Sequence, residues 1–292
     1  MRSLLFVPGD SRSKLDKALG SGADALIVDL EDSVSSGSKE AARSISAAFL
    51  AEAAMRDVRP LLFVRVNDLA TGLTDEDLEA VMRSAPDGIV LPKAVGGRDI
   101  RDLAGRLDRA EARNGIAPGR TRILPIATET ARGVLAIGTI PDASPRLCGV
   151  TWGGEDLSAD IGAEANRDGA GRYTDPYRHA RLMTLLTAAA AEVDAVDAVF
   201  TAFRDADGLA GECRAARRDG FVAKMAIHPG QVPVINAAFG ASPEALQEAR
   251  EIVALFAADP QAGVLGLNGR MIDRPHLRRA QRLLARNATA RS

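Results

Sequence analysis

The sequence is poor in the residues that mark several large classes of protein. Its 292 residues include only two cysteines, Cys148 and Cys213, without C-x-x-C spacing, so neither a disulfide framework nor a zinc site is expected. The formal net charge is -2, which gives no reason to expect nucleic acid or an anionic membrane surface as a partner. No apolar run approaches the roughly 20 residues of a membrane helix, and the N-terminal "MRSLLFVPGD" lacks the features of a signal peptide. We therefore expect a cytoplasmic protein.

The signatures of several common catalytic classes are absent as well. The chain contains no G-x-S-x-G, H-E-x-x-H, G-x-G-x-x-G or Walker pattern, and no cysteine is placed beside a histidine for nucleophilic chemistry. Serine hydrolases, zinc proteases, Rossmann-type dehydrogenases and P-loop proteins are therefore not supported. Carboxylates, arginine and lysine are left as the candidate functional groups.

Eight short hydrophobic runs recur along the chain, and amphipathic helical stretches lie between them. Continuous hydrophobic strands that alternate with helices are typical of parallel sheet buried on both faces. Eight such units predict an α/β protein with a TIM (β/α)8 barrel, and an open doubly wound sheet is the alternative. The runs cover residues 3–7, 25–30, 60–66, 88–92, 122–127, 146–152, 195–203 and 221–227.

The barrel is predicted to occupy residues 1–240. The remainder of the chain reads as helical from about residue 229, and residues 241–292 are predicted to form a C-terminal helical extension that acts as a lid.

Ionisable side chains are concentrated where the predicted strands end. In a TIM barrel the active site lies at the carboxyl ends of the strands, so these side chains are expected to surround one site. Six of the eight ends carry them. The ends hold Pro8-Gly9, Asp29 with Glu31 and Asp32, Arg65 with Asn67, Pro92-Lys93, Glu129, Glu155-Asp156 after two glycines, and Lys224 followed by His228.

Glu129 and Asp156 are the best candidates for metal ligands. Each follows a buried strand, and the two strands are expected to be neighbours. Carboxylates placed in this way suit a hard divalent cation, and Mg²⁺ is typically held by one or two carboxylates with water and substrate oxygens. The alternative is that Glu129 and Asp156 cap the helices that follow them.

Arg65 is a charged residue inside a hydrophobic strand and is expected to hold a substrate carboxylate or carbonyl through its planar fork. The alternative is a structural ion pair with Asp29 or Glu31. Some of the three carboxylates Asp29, Glu31 and Asp32 are expected to orient Arg65 or metal-bound water, and at least one is expected to be exposed to solvent. We take Arg65 and Asp29 as candidate catalytic residues.

Four other residues have structural explanations. His228 is as readily explained by the start of a helix as by ligand binding, and Trp152 is expected to pack in the core. His179 and His276 lie in arginine-rich helices and are expected at the surface.

At these residues the sequence resembles the citrate lyase β-subunit-like branch of the HpcH/HpaI aldolase family, in the phosphoenolpyruvate/pyruvate superfamily of barrels. The match runs nearly end to end. The phrases that carry it, in the family's order, are "RSLLFVPGD", "LIVDLEDSV", "LFVRVN", "IVLPK", "ETARGV", "GGEDLSADIG", "AIHPGQ" and "GRMIDRPHLRRA".

The resemblance implies a Mg²⁺-dependent carbon–carbon lyase that acts on a citryl-, malyl- or citramalyl-CoA type of thioester, or on an acyl-carrier thioester. The products would be acetyl-CoA, or another acyl thioester, and a 2-keto acid. Carried over residue by residue, the metal ligands fall on Glu129 and Asp156 and the substrate arginine on Arg65. The contacts to CoA fall around Pro8-Gly9 and on the "IHPGQ" turn that contains His228, and Lys93 is a further candidate for substrate binding.

Two other functions fit the same residues. A thioesterase of the malyl-CoA type would use the same metal site, and a non-catalytic CoA-ester-binding protein is also possible. The residues do not decide whether the chain works alone or with other citrate lyase subunits.

Asp273 follows a glycine-rich stretch, "GVLGLNG", that suggests a hinge, and it precedes a helix rich in arginine. Asp273 fits the N-cap position of that helix, with Pro275 in the first turn. The resemblance implies that this C-terminal lid covers the barrel of a neighbouring subunit and that Asp273 serves there as general acid/base. A homotrimer or hexamer is therefore predicted.

Overall fold

The computed structural model describes the backbone of residues 1–289 and the side chains up to residue 286. The chain divides into two compact units. One is Arg2–Phe239, and the other begins at Gly240 and includes Met1.

The first unit contains eight parallel strands, as predicted. Their order in the sheet is β5-β4-β3-β2-β1-β8-β7-β6. Isolated parallel bridges, Ile123 to Leu147 and Ile126 to Thr151, join the two outer strands, so the sheet is nearly closed as a barrel. The strands are β1 Ser3–Pro8, β2 Ala25–Asp29, β3 Leu61–Arg65, β4 Gly88–Leu91, β5 Arg122–Pro125, β6 Gly149–Val150, β7 Asp194–Asp197 and β8 Ala223–Ala226.

Helices follow the strands and surround the sheet, which confirms the TIM barrel. Nearly all strand residues are buried, because side chains on one face pack inside the barrel and those on the other pack against the helices. Trp152 is fully buried, as expected for a packing residue. The helices of this unit are α1 Arg12–Ala18, α2 Lys39–Ala54, α3 Thr74–Val81, α4 Gly96–Asn114, α5 Ala131–Ala136, α6 Gly154–Asp160, α7 Asp175–Ala190, α8 Ala206–Asp219 and α9 Val232–Phe239.

The seventh strand is shorter than predicted. The hydrophobic run continues to residue 203, but β7 ends at Asp197, and the following residues form a loop at the carboxyl end of the barrel. The carbonyl of Phe200 accepts a hydrogen bond from the Gln231 side chain (2.8 Å) instead of a ladder bond. Phe203 is 45% exposed. The hydrophobic residues after Asp197 therefore belong to a loop and do not extend the strand.

The second unit is not wholly helical, and this part of the prediction is wrong. It contains α10 Pro243–Ala258, an antiparallel hairpin of β9 Val264–Leu267 and β10 Arg270–Asp273, and α11 Arg274–Thr289. The stretch interpreted as a hinge forms the first strand and turn of this hairpin. Asn268 and Gly269 both have positive φ (51° and 75°), as a two-residue type I′ turn requires.

The hairpin and the two helices share a small apolar core of their own, in which Phe256 and Ile272 are buried. Among the helices in residues 1–289, none is both long enough and apolar enough to cross a membrane.

Candidate active site

Arg65 ends β3 and is held by carboxylates at the end of the neighbouring β2. Its Nε and Nη2 donate to the two oxygens of Asp29 (2.8 and 2.7 Å), and its Nη1 lies 2.8 Å from Glu31 Oε2. Burial raises the pKa of Asp29, but the hydrogen bonds and charge of Arg65 outweigh burial and hold that pKa below its usual range. The bidentate pair fixes the plane of the guanidinium.

Asp29 also organises the turn that follows it. Its oxygens accept the amides of Glu31 (2.9 Å) and Ser33 (3.1 Å). Both oxygens are therefore engaged by the protein, and these contacts favour a role for Asp29 in positioning Arg65.

Lys93 connects the acidic residues of several strand ends. Its backbone has φ 50°, a left-handed conformation that costs on the order of 1–3 kcal/mol for a residue with a side chain. In this conformation its amide donates to Glu129 Oε2 (2.6 Å), while Nζ forms an ion pair with Glu31. The same Nζ lies 3.3 Å from Asp32 Oδ2 and 3.6 Å from Asp156 Oδ1. Lys93 thus contacts both predicted metal ligands.

Glu129 is buried, and it does not cap the helix that follows. Thr130 caps α5, because its hydroxyl accepts the Gly133 amide (3.0 Å). Burial and, after it, the charge of Asp156 raise the pKa of Glu129 to about 8, although the hydrogen bond from the Lys93 amide lowers it. A buried carboxyl group with this electrostatic environment favours binding of a proton or a cation.

Asp156 lies in the first turn of α6, which begins at Gly154 with Gly153 as its N-cap. It is therefore not the cap of its helix either. A Cβ built on Gly153 would lie 2.7 Å from Glu129 Cγ. A glycine is therefore needed at this position for the loop after β6 to pass beside Glu129.

The charges at this end of the barrel do not balance. With all five acidic side chains ionised, two negative charges remain beyond those that the three cations balance. Because ionising the buried Glu129 without a compensating charge is costly, a divalent cation fits this cluster. Lys39 lies at the edge of the cluster and donates to the carbonyls of Leu30 and Glu31. The acidic members are Asp29, Glu31, Asp32, Glu129 and Asp156, and the basic members are Arg65, Lys93 and Lys39.

Glu129 and Asp156 are the residues that could hold the cation. Within residues 1–289 no group of three or more histidine, cysteine, aspartate or glutamate side chains converges on a metal position. Two carboxylates from the chain, completed by water and substrate oxygens, are the donor set that Mg²⁺ accepts.

The turns after β1 and β8 lie at the same end of the barrel. A Cβ on Gly9 would lie 2.7 Å from the carbonyl oxygen of Asp29, so the turn after β1 packs directly against the end of β2. His228 follows β8 and is exposed; it caps a short 3₁₀ turn, since its Nδ1 accepts the Gly230 amide (3.1 Å). The structural alternative for His228 is therefore observed, and it leaves the rest of the ring open to solvent.

Lys224 does not lie among the charged groups at the carboxyl end of the barrel, where the sequence predicted it. It is fully buried, and its Nζ donates to Asp197 (2.9 Å) and to Glu212 on α8 (2.8 Å). Trp152 Nε1 also donates to Asp197 (2.8 Å). Lys224 thus belongs to an ion-pair network between the sheet and α8, and it is not one of the charged groups at the carboxyl end.

In the second unit, Asp273 and His276 form a pair that the sequence reasoning missed. Asp273 Oδ1 accepts the His276 amide (3.4 Å), as an N-cap does, and lies 2.5 Å from His276 Nδ1. The hydrogen bond from His276 lowers the pKa of Asp273. His276 is partly exposed and paired with Asp273, whereas His179 is exposed as expected. The Asp-x-x-His spacing across the start of a helix was the available signal.

An eight-stranded parallel barrel with an arginine and a pair of carboxylates at its carboxyl end is typical of TIM-barrel enzymes that use a metal ion. The chain belongs to the HpcH/HpaI aldolase/citrate lyase family, whose sequence model matches residues 2–229.

Relatives with named activities cover almost the whole chain. The mitochondrial citramalyl-CoA lyase of Mus musculus is 33% identical over 97% of this chain and 85% of its own. The (3S)-malyl-CoA thioesterase of Cereibacter sphaeroides is 34% identical over 98% of this chain and 94% of its own. The crystal structure of CitE from Mycobacterium tuberculosis, in complex with magnesium, acetoacetate and coenzyme A, is 34% identical and superposes with a TM-score of 0.76 over 98% of each chain.

Proposed function

We propose that this protein is a Mg²⁺-dependent carbon–carbon lyase that cleaves a short-chain hydroxyacyl-CoA thioester, of the citryl-, malyl- or citramalyl-CoA type, to acetyl-CoA and a 2-keto acid. The observation that carries the proposal is that Lys93 contacts Glu129, Asp156 and Glu31, and that Glu31 in turn pairs with Arg65, so that all of them lie at one end of the barrel. It is supported by the similarity to a citramalyl-CoA lyase and to a structure with magnesium, acetoacetate and coenzyme A.

Cleavage requires three coupled changes in the substrate. A base takes the proton of the hydroxyl group, the bond between the hydroxyl carbon and the carbon next to the thioester breaks, and the hydroxyl carbon becomes the keto carbon. The electron pair of the broken bond goes to the carbon next to the thioester, which then takes a proton. Magnesium bound at Glu129 and Asp156 would withdraw charge from the oxygen on the hydroxyl carbon.

Arg65 would bind the carboxylate of the keto-acid portion through the N–H groups of Nη1 and Nη2 that Asp29 and Glu31 leave free, because a guanidinium has five donors held in one plane. Asp29 and Glu31 hold that guanidinium in place. Pro8, Gly9, Lys93 and His228 are proposed to contact the rest of the thioester substrate.

Asp273 is proposed as the general acid/base. Its support is the family resemblance of "GRMIDRPHLRRA" and the hydrogen-bonded pair with His276. The proposal includes completion of the site by Asp273 of a neighbouring copy, in a homotrimer or hexamer located in the cytoplasm. Association with other citrate lyase subunits is the alternative assembly.

Thioester hydrolysis is the second candidate, favoured by the similarity to a (3S)-malyl-CoA thioesterase. It would use the same metal ligands, but water would attack the thioester carbon and the carbon–carbon bond would stay intact.

Product analysis separates the candidates. The protein is incubated with Mg²⁺ and malyl-, citramalyl- or citryl-CoA, and the products are separated by liquid chromatography with keto-acid detection. Acetyl-CoA with an equal amount of keto acid is expected; free CoA with an intact hydroxy acid would mean a thioesterase. Unchanged thioester in every reaction would contradict both and leave only a binding protein. The Glu129→Gln variant is the matched control for metal-dependent turnover.

A further inference from the structure

Asp273 and His276 meet across the first turn of α11. Asp273 immediately precedes the helix, and Pro275, at the second helical position, has no amide hydrogen. An N-cap side chain accepts from the second or third amide of its helix, so here only the third, that of His276, is available. That amide donates to Asp273 Oδ1 (3.4 Å). The sequence Asp-Arg-Pro-His therefore places the carboxylate and the imidazole on the same turn.

The contact between the two side chains requires a proton between them. His276 Nδ1 lies 2.5 Å from Asp273 Oδ1, and two unshared electron pairs at this distance would repel each other. The same nitrogen lies 3.3 Å from the backbone nitrogen of Asp273, a contact in which Nδ1 would have to accept. One ring nitrogen cannot both donate and accept, and the shorter contact to a charged oxygen is the stronger of the two. Nδ1 therefore donates to the carboxylate.

The two oxygens of the Asp273 carboxylate differ in their surroundings. Oδ1 accepts both the amide and the ring of His276, whereas Oδ2 has no hydrogen-bond partner in the part of the chain that the structure describes. About a third of each side chain is exposed, 32% for Asp273 and 34% for His276. Two donors at Oδ1 therefore fix the plane of the carboxylate, and Oδ2 stays available to accept a proton.

We infer that His276 is a positioning residue that holds Asp273 through Oδ1, so that Oδ2 is the atom that exchanges the proton with the substrate. The inference rests on the proposed function, in which Asp273 is the general acid/base. In the cleavage direction Oδ2 takes the proton of the substrate hydroxyl group, and Nδ1 keeps its own proton throughout. A carboxylate that cannot rotate presents Oδ2 in one direction, and this lowers the entropy cost of bringing the reacting atoms together. His276 acts on turnover without contacting the substrate.

The position of the ring proton tests the contact without turnover. The chain has three histidines, so the ring nitrogens of the 15N-labelled full-length protein can be assigned by NMR with single substitutions. At about pH 8.5, where an ordinary histidine is neutral, Nδ1 of His276 should carry a proton. His228 is the internal control, because its Nδ1 accepts the Gly230 amide (3.1 Å) and its proton should lie on Nε2. An unprotonated Nδ1 at His276 in the wild type, or one that stays fully protonated in Asp273→Ala, overturns the inference.

Substitutions of His276 test its effect on turnover. Asn can place an amide N–H where Nδ1 was, Gln places its amide near the position of Nε2, and Leu has no donor, while all three keep the backbone amide that Asp273 caps. His276→Gln and His276→Leu should lower kcat roughly tenfold or more with KM little changed, because a hydrogen bond to a charged group is lost. His276→Asn should retain most of the activity, and His179→Leu, at an exposed position of α7, is the matched control.

Thermal unfolding of each variant checks that its fold is retained. Equal kcat values for His276→Asn and His276→Leu, or a loss of activity that lies in KM instead of kcat, overturns the inference. If the wild type cleaves no thioester while the ring protons lie where they are expected, the proposed function fails and the hydrogen-bonded pair stands.

Discussion

Neutralising Glu129 should stabilise the metal-free protein while abolishing its response to magnesium. Glu129 is buried beside Asp156, and burial followed by that neighbouring charge raises its pKa from 4.5 to about 8. Glu129→Gln removes the ionisable group but keeps an oxygen that can accept the Lys93 amide, which Glu129 Oε2 accepts at 2.6 Å. The substitution therefore tests electrostatics with little change of shape.

The sign and size of the effect follow from proton linkage. Between pH 4.5 and about 8 the folded protein retains a proton on Glu129 that the unfolded chain has lost, so stability falls as pH rises through this range. The full stabilisation by the proton is present below pH 4.5 and is lost by about pH 8. At pH 7 the loss is roughly 3 kcal/mol, from about 1.4 kcal/mol for each pH unit above the unfolded pKa. Glu129→Gln should escape most of this loss.

The measurement is urea unfolding of both proteins in chelator at several pH values between 5 and 8, repeated with Mg²⁺. Without metal, the difference in free energy of unfolding should grow with pH in favour of Glu129→Gln. With Mg²⁺, only the wild type should gain stability, because a cation that binds the folded state alone stabilises it by mass action. Glu155→Gln, next to Asp156 on the exposed side of α6, is the control and should follow the wild type.

A metal-free Glu129→Gln protein that is less stable than the wild type at pH 7 would refute the electrostatic argument. An equal gain from Mg²⁺ in both proteins would refute the placement of the cation at Glu129.

Three further outcomes are expected. Arg65→Lys keeps the charge but loses the planar fork, and kcat/KM should fall roughly 10- to 100-fold in steady-state assays; unchanged kinetics would mean a structural role. Arg146→Ala leaves Glu111 buried without its partner at 2.6 Å, so unfolding in denaturant should show a loss of about 3–5 kcal/mol, and a loss below 1 kcal/mol would contradict this. Mixing inactive Asp273→Ala with inactive Glu129→Ala subunits should restore part of the activity if Asp273 completes a neighbour's site, and verified hybrids that stay inactive would exclude it.

Several features of the site could be predicted because they depend on position along a strand. Arg65 lies near the end of a hydrophobic run, and Glu129 and Asp156 each follow one. Parallel strands place all such ends at one side of a barrel. The two glycines before Glu155 and Asp156 are visible in the sequence, but only the structure shows that a Cβ at Gly153 would collide with Glu129.

The hairpin was missed although its signal was present. Asn268-Gly269 between hydrophobic residues is the usual sequence of a two-residue β-turn, but the expectation of a hinge assigned these glycines to flexibility. Lys224 was misplaced for a different reason. A lysine near the end of a strand can face either side of the sheet, and only the partners Asp197 and Glu212 show which one it takes.

By itself the sequence determined the number of strands, their parallel arrangement and the chemical type of the residues at their carboxyl ends, because hydrophobic period and strand length are local properties of the chain. The tertiary structure alone decided that Lys93 adopts a left-handed backbone to reach Glu129 and Glu31, and that Phe203 stacks on His228. These contacts join residues far apart in the chain. Their geometry depends on how the loops at neighbouring strand ends pack together, and no local pattern of residues encodes it.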